Sequence, residues 1–138
     1  MDGMKKILTD GAIEARKRAY TPYSGFRVGA ALLASSGRVY LGCNIENAAY
    51  SPTNCAERTA FFKAVSEGER EFTAIAVAGG KGELCGEICP PCGVCLQVMA
   101  EFCDPDEFTV YLVKSETECE EMKLRDLLPH GFSGKRIK

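Results

Sequence analysis

The chain has 138 residues, room for one compact core, so a single domain over residues 1–138 is expected. Hydrophobic residues make up 46% and charged residues 26% of it, a balance that excludes an intrinsically disordered chain. A formal net charge of -2 argues against nucleic acid as a partner, because following a phosphate backbone takes clustered cations, and the short basic tail Lys135, Arg136, Lys138 does not reverse that.

Ile7, Leu8, Ala12, Ala15 and Ala19 recur at helical spacing and predict an amphipathic helix from about Lys5 to Ala19. Thr21-Pro22-Tyr23-Ser24-Gly25 ends it. Phe26 to Ala34 is apolar and too short for a long helix, and Ser35-Ser36-Gly37 separates it from the β-prone Arg38 to Leu41, which reads as a hairpin. A helix is expected from Cys55 to Glu67, capped by Thr53 or Asn54 and stopped by Gly68. Phe72 to Ala78 reads as a buried strand, and Pro91 suits the first turn of a helix running to about Cys103. Strands at Thr109 to Val113 and Cys119 to Lys123 follow, then a short helix from Leu124 to Leu128 closed by Pro129. That order predicts an α/β fold of three layers, α/β/α, around a mixed sheet of about five strands, with both cysteine clusters at helix starts.

Cysteines stand at positions 43, 55, 85, 89, 92, 95, 103 and 119. In a small secreted chain they would suggest a disulfide framework, but Met1 to Lys6 is polar and the chain is long enough for an ordinary core, so metal binding is the first reading. The polar start, and the lack of any stretch near the ~20 apolar residues that cross a bilayer, predict a cytoplasmic protein with no membrane partner. Cys92-Gly93-Val94-Cys95 places two thiols on one face of a helix, where they can grip one ion. Alone, that pair reads equally as a metal clamp or as a redox motif. Cys55-Ala56-Glu57 adds a third thiol at another helix start, where partial positive charge favours thiolate. Three protein ligands with an open fourth position characterise a catalytic zinc site, whereas a structural site closes with four.

The remaining polar and sulfur residues sort around that cluster. His130 in Leu-Pro-His-Gly is expected in a surface loop, away from the metal. Cys43, Cys103 and Cys119 read as buried thiols, and Cys85 and Cys89 as exposed ones. The run Cys85, Cys89, Cys92, Cys95 also fits an iron–sulfur ligand spacing, so a cluster-binding module is the non-enzyme alternative. Asn44 and Glu46 lie two apart after a strand and point the same way if the backbone stays extended. A carboxylate there disfavours a phosphorylated ligand by charge repulsion.

Five blocks in order, Phe26-Arg27-Val28-Gly29-Ala30-Ala31-Leu32-Leu33, Asn44-Ile45-Glu46-Asn47-Ala48-Ala49-Tyr50, Cys55-Ala56-Glu57-Arg58-Thr59-Ala60, Pro91-Cys92-Gly93-Val94-Cys95 and Leu127-Leu128-Pro129, together resemble the cytidine deaminase family of the homotetrameric, three-cysteine zinc type. The resemblance implies hydrolytic deamination of free cytidine and deoxycytidine, with one Zn2+ per subunit on Cys55, Cys92 and Cys95 and with Glu57 moving protons to the ring. It implies that Arg58 hydrogen-bonds to sulfur and offsets the excess negative charge of three thiolates around Zn2+. It assigns Asn44 and Glu46 to the ribose 3′ side, Phe26 to the pyrimidine pocket and the backbone of Ala56 to the polar edge of the ring. Phe132 matches the C-terminal aromatic that reaches a neighbouring subunit's site, with Tyr50 supporting that shared wall. Many relatives carry a second Arg directly after the last zinc cysteine; Leu96 stands there in this chain, leaving a more electron-rich site. A blasticidin S-type aminonucleoside deaminase shares the zinc core and is the enzyme alternative, while the spacing of Asn44 and Glu46 does not rank ribose against deoxyribose.

Overall fold

The computed structural model describes residues 1–138 and places four helices and five strands in the expected order. These are α1 (Gly3–Arg16), β1 (Arg27–Ala34), β2 (Val39–Cys43), α2 (Ala56–Ser66), β3 (Phe72–Gly80), α3 (Gly93–Phe102), β4 (Thr109–Val113), β5 (Cys119–Lys123) and α4 (Leu124–Leu127). A short 3₁₀ turn, Gly134–Arg136, follows in the tail. The sheet runs β2-β1-β3-β4-β5. β1 is antiparallel to both β2 and β3, β3 and β4 are parallel, and β5 returns antiparallel to β4. Two connections are crossovers: α2 carries the chain from β2 past β1 to β3, and α3 lies between the parallel β3 and β4.

β1 and β3 are near-continuous apolar runs because both faces of the sheet are covered. Successive side chains alternate between those faces. Ala31, Leu33, Ala74, Ala76 and Ala78 meet Leu8 and Ala12 of α1, where the small residues let the helix lie close. Val28, Leu32, Ile75, Val77 and Leu112 meet α2 and α3 on the other face. Phe61 of α2 locks that second layer, with its ring 5.0 Å from Phe72, 6.4 Å from Phe102 and 6.1 Å from Phe108, centroid to centroid. The three-layer α/β/α arrangement and the mixed five-strand sheet are therefore as expected.

Several boundaries differ from the expectation for local reasons. α1 stops at Arg16 instead of Ala19 because the chain must turn to pair Tyr20 with Ile45, through Tyr20 N–H to Asn44 O and Glu46 N–H to Tyr20 O. Neither Thr53 nor Asn54 caps α2; the cap position is Cys55, while Asn54 donates to Thr59 Oγ1 and Thr53 Oγ1 accepts from the Asn47 amide. Pro91 lies outside the first turn of α3, since Cys92 is in extended conformation at the cap and the helix begins at Gly93. Gly68 does close α2 with a φ of 106°, the left-handed conformation that glycine adopts without penalty.

The strand directions decide where chemistry can assemble. Because β2 and β3 both run against β1, the chain leaves β2 and β3 at the same end of the sheet at which it enters β1. α2 and α3 follow those exits, so both helices begin there. α2 is pressed onto β2 at Gly42, where a Cβ would lie 2.4 Å from Ala56 O and 2.6 Å from Ala60 N. Gly42→Ala is expected to push α2 off the sheet and lower stability by about 3 kcal/mol, the upper part of the overpacking range. Urea titration of both variants checks this, and Gly3→Ala, with open space around its Cβ, should stay within about 0.5 kcal/mol of the parent.

Candidate active site

Cys55 and Cys92 occupy the cap positions of α2 and α3, and neither side chain turns back to bond its own helix. A serine or aspartate there would spend its oxygen on the first-turn amides. Instead, both sulfurs project to a common point, which Cys95, one turn into α3, also reaches. The three Sγ atoms lie within 4.8 Å of one another. Cys55 Sγ is 3.8 Å from Cys92 Sγ, and Cys92 Sγ is 3.6 Å from Cys95 Sγ. A tetrahedral zinc ion with sulfur at about 2.3 Å sets its ligand sulfurs about 3.8 Å apart, so the donor set fits that ion. No histidine or carboxylate completes the group, which leaves one coordination position open, as a catalytic site requires.

The charge on this cluster is managed from two sides. The unpaired first-turn amides of α2 and α3 carry partial positive charge toward the sulfurs. Arg58, one turn into α2, donates from Nη2 to Cys55 Sγ at 3.3 Å. Hydrogen bonding from Cys95, and then from Arg58 and Cys92, holds the Cys55 thiol down at about 5 against the opposing effect of burial. The same interaction with Cys55, and then burial, pushes the Cys95 thiol up. Burial works against the Arg58 charge, but the bonds to Cys55 and Cys95 outweigh it and hold the guanidinium above its ordinary range. Leu96 packs into the core from α3 at 8% exposure, so it brings no second cation to the sulfurs.

Glu57 is next to the cluster but outside it. Its residue is 4% exposed, and burial pushes its carboxyl up to about 7, with the Cys55 charge adding to the shift and its own backbone amide and Arg58 opposing it. A cation at the cysteines acts in the lowering direction. A carboxyl titrating near neutrality can both take and return a proton at working pH. Ala56, fully buried, carries the first amide of α2, and that amide has no partner within the helix.

Phe26, Asn44, Glu46 and Tyr50 gather around residues 23–28, at the entry to β1. Asn44 Oδ1 accepts from Val28 N–H at 2.9 Å and its Nδ2 donates to Phe26 O at 2.8 Å. Glu46 accepts from the amides of Tyr23 and Ser24, and from the Ser24 hydroxyl. Both side chains therefore turn to one stretch, residues 23–28, and each keeps lone-pair or N–H capacity for a ligand. The Ser24 bonds hold the Glu46 carboxyl below its ordinary range, so it is ionised at neutral pH. Tyr50, at a φ of 62° and 76% exposed, lines a cleft of about 410 Å³ with Tyr23, Ser24, Glu46, Asn47 and Thr53. Phe26 is 36% exposed, with its ring against Gly79.

Phe132 is the one predicted residue that stands apart, on the tail and 57% exposed, with its carbonyl held by Gln97 Nε2 of α3 at 2.9 Å. His130 is exposed, as expected. The iron–sulfur alternative loses its geometry: Cys89 lies outside the sulfur group and Cys85 is exposed. Cys89 is half-buried, not exposed, and burial followed by repulsion from Glu57 and Cys55 pushes its thiol up to about 11. Cys103 is buried, while Cys43 and Cys119 are only half-buried. Sequence reasoning missed Cys89 as a neighbour of Glu57, Gln97 as the anchor of Phe132, and Ser24 as the partner of Glu46. Only the Pro22-Tyr23-Ser24-Gly25 turn signal hinted at the last of these.

The comparisons with known proteins agree with this geometry. The profile of the cytidine and deoxycytidylate deaminase zinc-binding region matches residues 4–112. The cytidine deaminase of Sporosarcina psychrophila is 56% identical over 131 residues, covering 94% of this chain and 91% of that protein. That of Halalkalibacterium halodurans is 50% identical, covering 94% of each. Among solved structures, cytidine deaminase from Burkholderia pseudomallei superposes with a TM-score of 0.84 at 44% identity, over 94% of this chain and all of that one (100%). The Mycobacterium tuberculosis enzyme gives 0.80 at 37%, over 95% and 98%.

Metal binding to such a site also stabilises the fold, because the unfolded chain offers no preformed donor set. Purified protein should carry about one zinc per chain by elemental analysis, and Cys92→Ser should carry almost none. Prolonged chelation should lower the melting temperature, and restoring zinc should recover it.

Proposed function

The chain belongs to the zinc-binding cytidine and deoxycytidylate deaminase family, and from that premise we propose that residues 1–138 act as one catalytic domain that hydrolyses free cytidine and deoxycytidine. Water and the substrate give uridine or deoxyuridine plus ammonia, a reaction that fits pyrimidine salvage. The observation that carries this reading is the meeting of three sulfurs from two helix starts beside a buried acid that does not join them. Cys55, Cys92 and Cys95 would hold the zinc ion, which supplies the Lewis acidity that makes water a competent nucleophile near neutral pH.

The chain's own residues supply the rest. Glu57 takes up a proton and delivers it to N3 of the ring as C4 becomes tetrahedral, then passes a proton to the exocyclic nitrogen so that ammonia leaves. Its burial supports that role by keeping the carboxyl near the pH at which it must give and take. The free Ala56 amide offers a donor to the polar edge of the ring. Phe26 packs against the pyrimidine, while Asn44 and Glu46 take the 3′ side of the sugar with the capacity left after their bonds to residues 23–28. The ionised Glu46 would repel a phosphate, which favours nucleoside over nucleotide.

The same reading makes the working unit a homotetramer with shared sites. Phe132 and Tyr50 are large, exposed aromatics, the kind of surface that association covers, and Phe132 would complete a neighbouring subunit's pocket, with Tyr50 in the shared wall. A cytoplasmic location is supported by the eight free cysteines, which suit a reducing compartment, and by the absence of any helix long and apolar enough to cross a membrane.

Glu57→Gln should keep its zinc and lose about 10³-fold or more in kcat, followed by ammonia release; full-speed release would overturn the assignment of Glu57. Activity on cytidine and deoxycytidine with none on blasticidin S is the expected outcome of a side-by-side assay. Sedimentation should report a four-chain mass, and Phe132→Ala should raise KM for cytidine in the assembled enzyme.

A further inference from the structure

Arg16 closes α1 and is 9% exposed, yet it makes no salt bridge. Its guanidinium and Nε serve three backbone carbonyls from three parts of the chain. Nε donates to Arg27 O at 3.1 Å, and Nη2 donates to Gly80 O at 2.9 Å and to Gly82 O at 2.6 Å. Arg27 and Gly80 are the last register pair of the β1–β3 ladder, at the sheet end where the site assembles. Gly82 opens the loop that carries Cys89 and delivers Cys92 to α3.

What the clip holds in place is visible one residue away on each strand. Phe26 precedes Arg27, and Gly79 precedes Gly80. A Cβ on Gly79 would lie 2.8 Å from Cys89 Sγ and 3.2 Å from Phe26 Cε1, so the phenyl ring and the thiol pack on the same bare spot of β3. The position of α1 is itself fixed below, since Gly29 admits Ala12 O and Arg16 N so closely that a Cβ would sit 2.0 and 2.6 Å from them.

From this geometry we infer that Arg16 is a positioning residue for the base pocket, clipping the Phe26 end of β1 to the Cys89 loop that follows β3. The inference rests on the deaminase reading for the identity of the bound base, and on the three carbonyl bonds for the clip itself. Burial, and then repulsion from Arg27, lowers the Arg16 pKa, so the fold keeps a cation there against two opposing effects. The planar guanidinium reaches three carbonyls at once, whereas a lysine ammonium at the end of its flexible stem cannot reproduce that fork. Phe26 contacts the base in ground state and transition state alike, so loosening it removes uniform binding and appears in KM more than in kcat.

The test uses zinc-loaded enzyme and two variants, Arg16→Met and Arg16→Lys, read by cytidine kinetics and by amide hydrogen exchange. Arg16→Met is expected to raise KM at least tenfold with kcat within threefold, to retain zinc, and to speed exchange at residues 26–28 and 80–90 tenfold. Arg16→Lys is expected to recover part of both effects, and it carries the test alone if Arg16→Met does not fold, a threefold rise in its KM being the supporting result. Unchanged KM in a folded variant overturns the positioning role even if the melting temperature drops, as does unchanged exchange at those segments. A parent enzyme that leaves cytidine untouched sinks the deaminase reading instead, and the exchange measurement then judges the clip on its own.

Discussion

Three sulfur atoms held within 4.8 Å of one another set the condition that the rest of the molecule satisfies. Two thiolates at about 4 Å repel by about 4 kcal/mol in the effective dielectric near a protein surface, so such a group persists only where positive charge is brought to it. A divalent cation is one source. The fold adds others: two helix starts aimed at the cluster and the Arg58 guanidinium on Cys55. That explains why cysteines occupy both cap positions without capping, since their sulfurs answer to the cluster and leave the first-turn amides unspent.

The topology is what lets two helices start at one place. A central β1 running against both β2 and β3 puts the entry to one strand and the exits from two others at the same end. The chain then delivers Phe26, Asn44 to Glu46, Cys55 to Arg58 and Cys89 to Cys95 to one region with no long loop reaching across the molecule. The side chains beneath hold that end still. Phe61 wedges α2 against Phe72, Phe102 and Phe108, and the bare backbones of Gly29 and Gly42 let α1 and α2 sit directly on the sheet.

Within that end, buried and solvent-facing groups lie apart. Glu57 and Cys95 lie on the dry side, where burial tunes a carboxyl toward neutrality, while Cys55 is half-buried and Cys92 reaches solvent. Glu46, Asn47 and Tyr50 lie on the wet side around an open cleft. Phe26 stands at the boundary, half exposed and backed by Gly79 and Cys89. Arg16 ties that boundary to the strand ends at Arg27 and Gly80 and to the start of the following loop at Gly82.

What could be read along the chain was whatever depends on near neighbours. Helical spacing in Leu8 to Ala15, the apolar runs of β1 and β3, the i and i+3 placement of Cys92 and Cys95, and the adjacency of Cys55 and Glu57 are all local, and each survives in the structure, whereas Ile7 faces solvent. The cap of α2 was expected at Thr53 or Asn54, whose side chains suit a helix start, but it falls at Cys55, whose Sγ meets Cys92 Sγ. The meeting of residues 55 and 92, the packing of Cys89 beside Phe26 and the reach of Arg16 to Gly80 and Gly82 were decided by tertiary structure alone. Contacts between segments tens of residues apart follow from strand direction and helix packing, which no spacing within a single segment records.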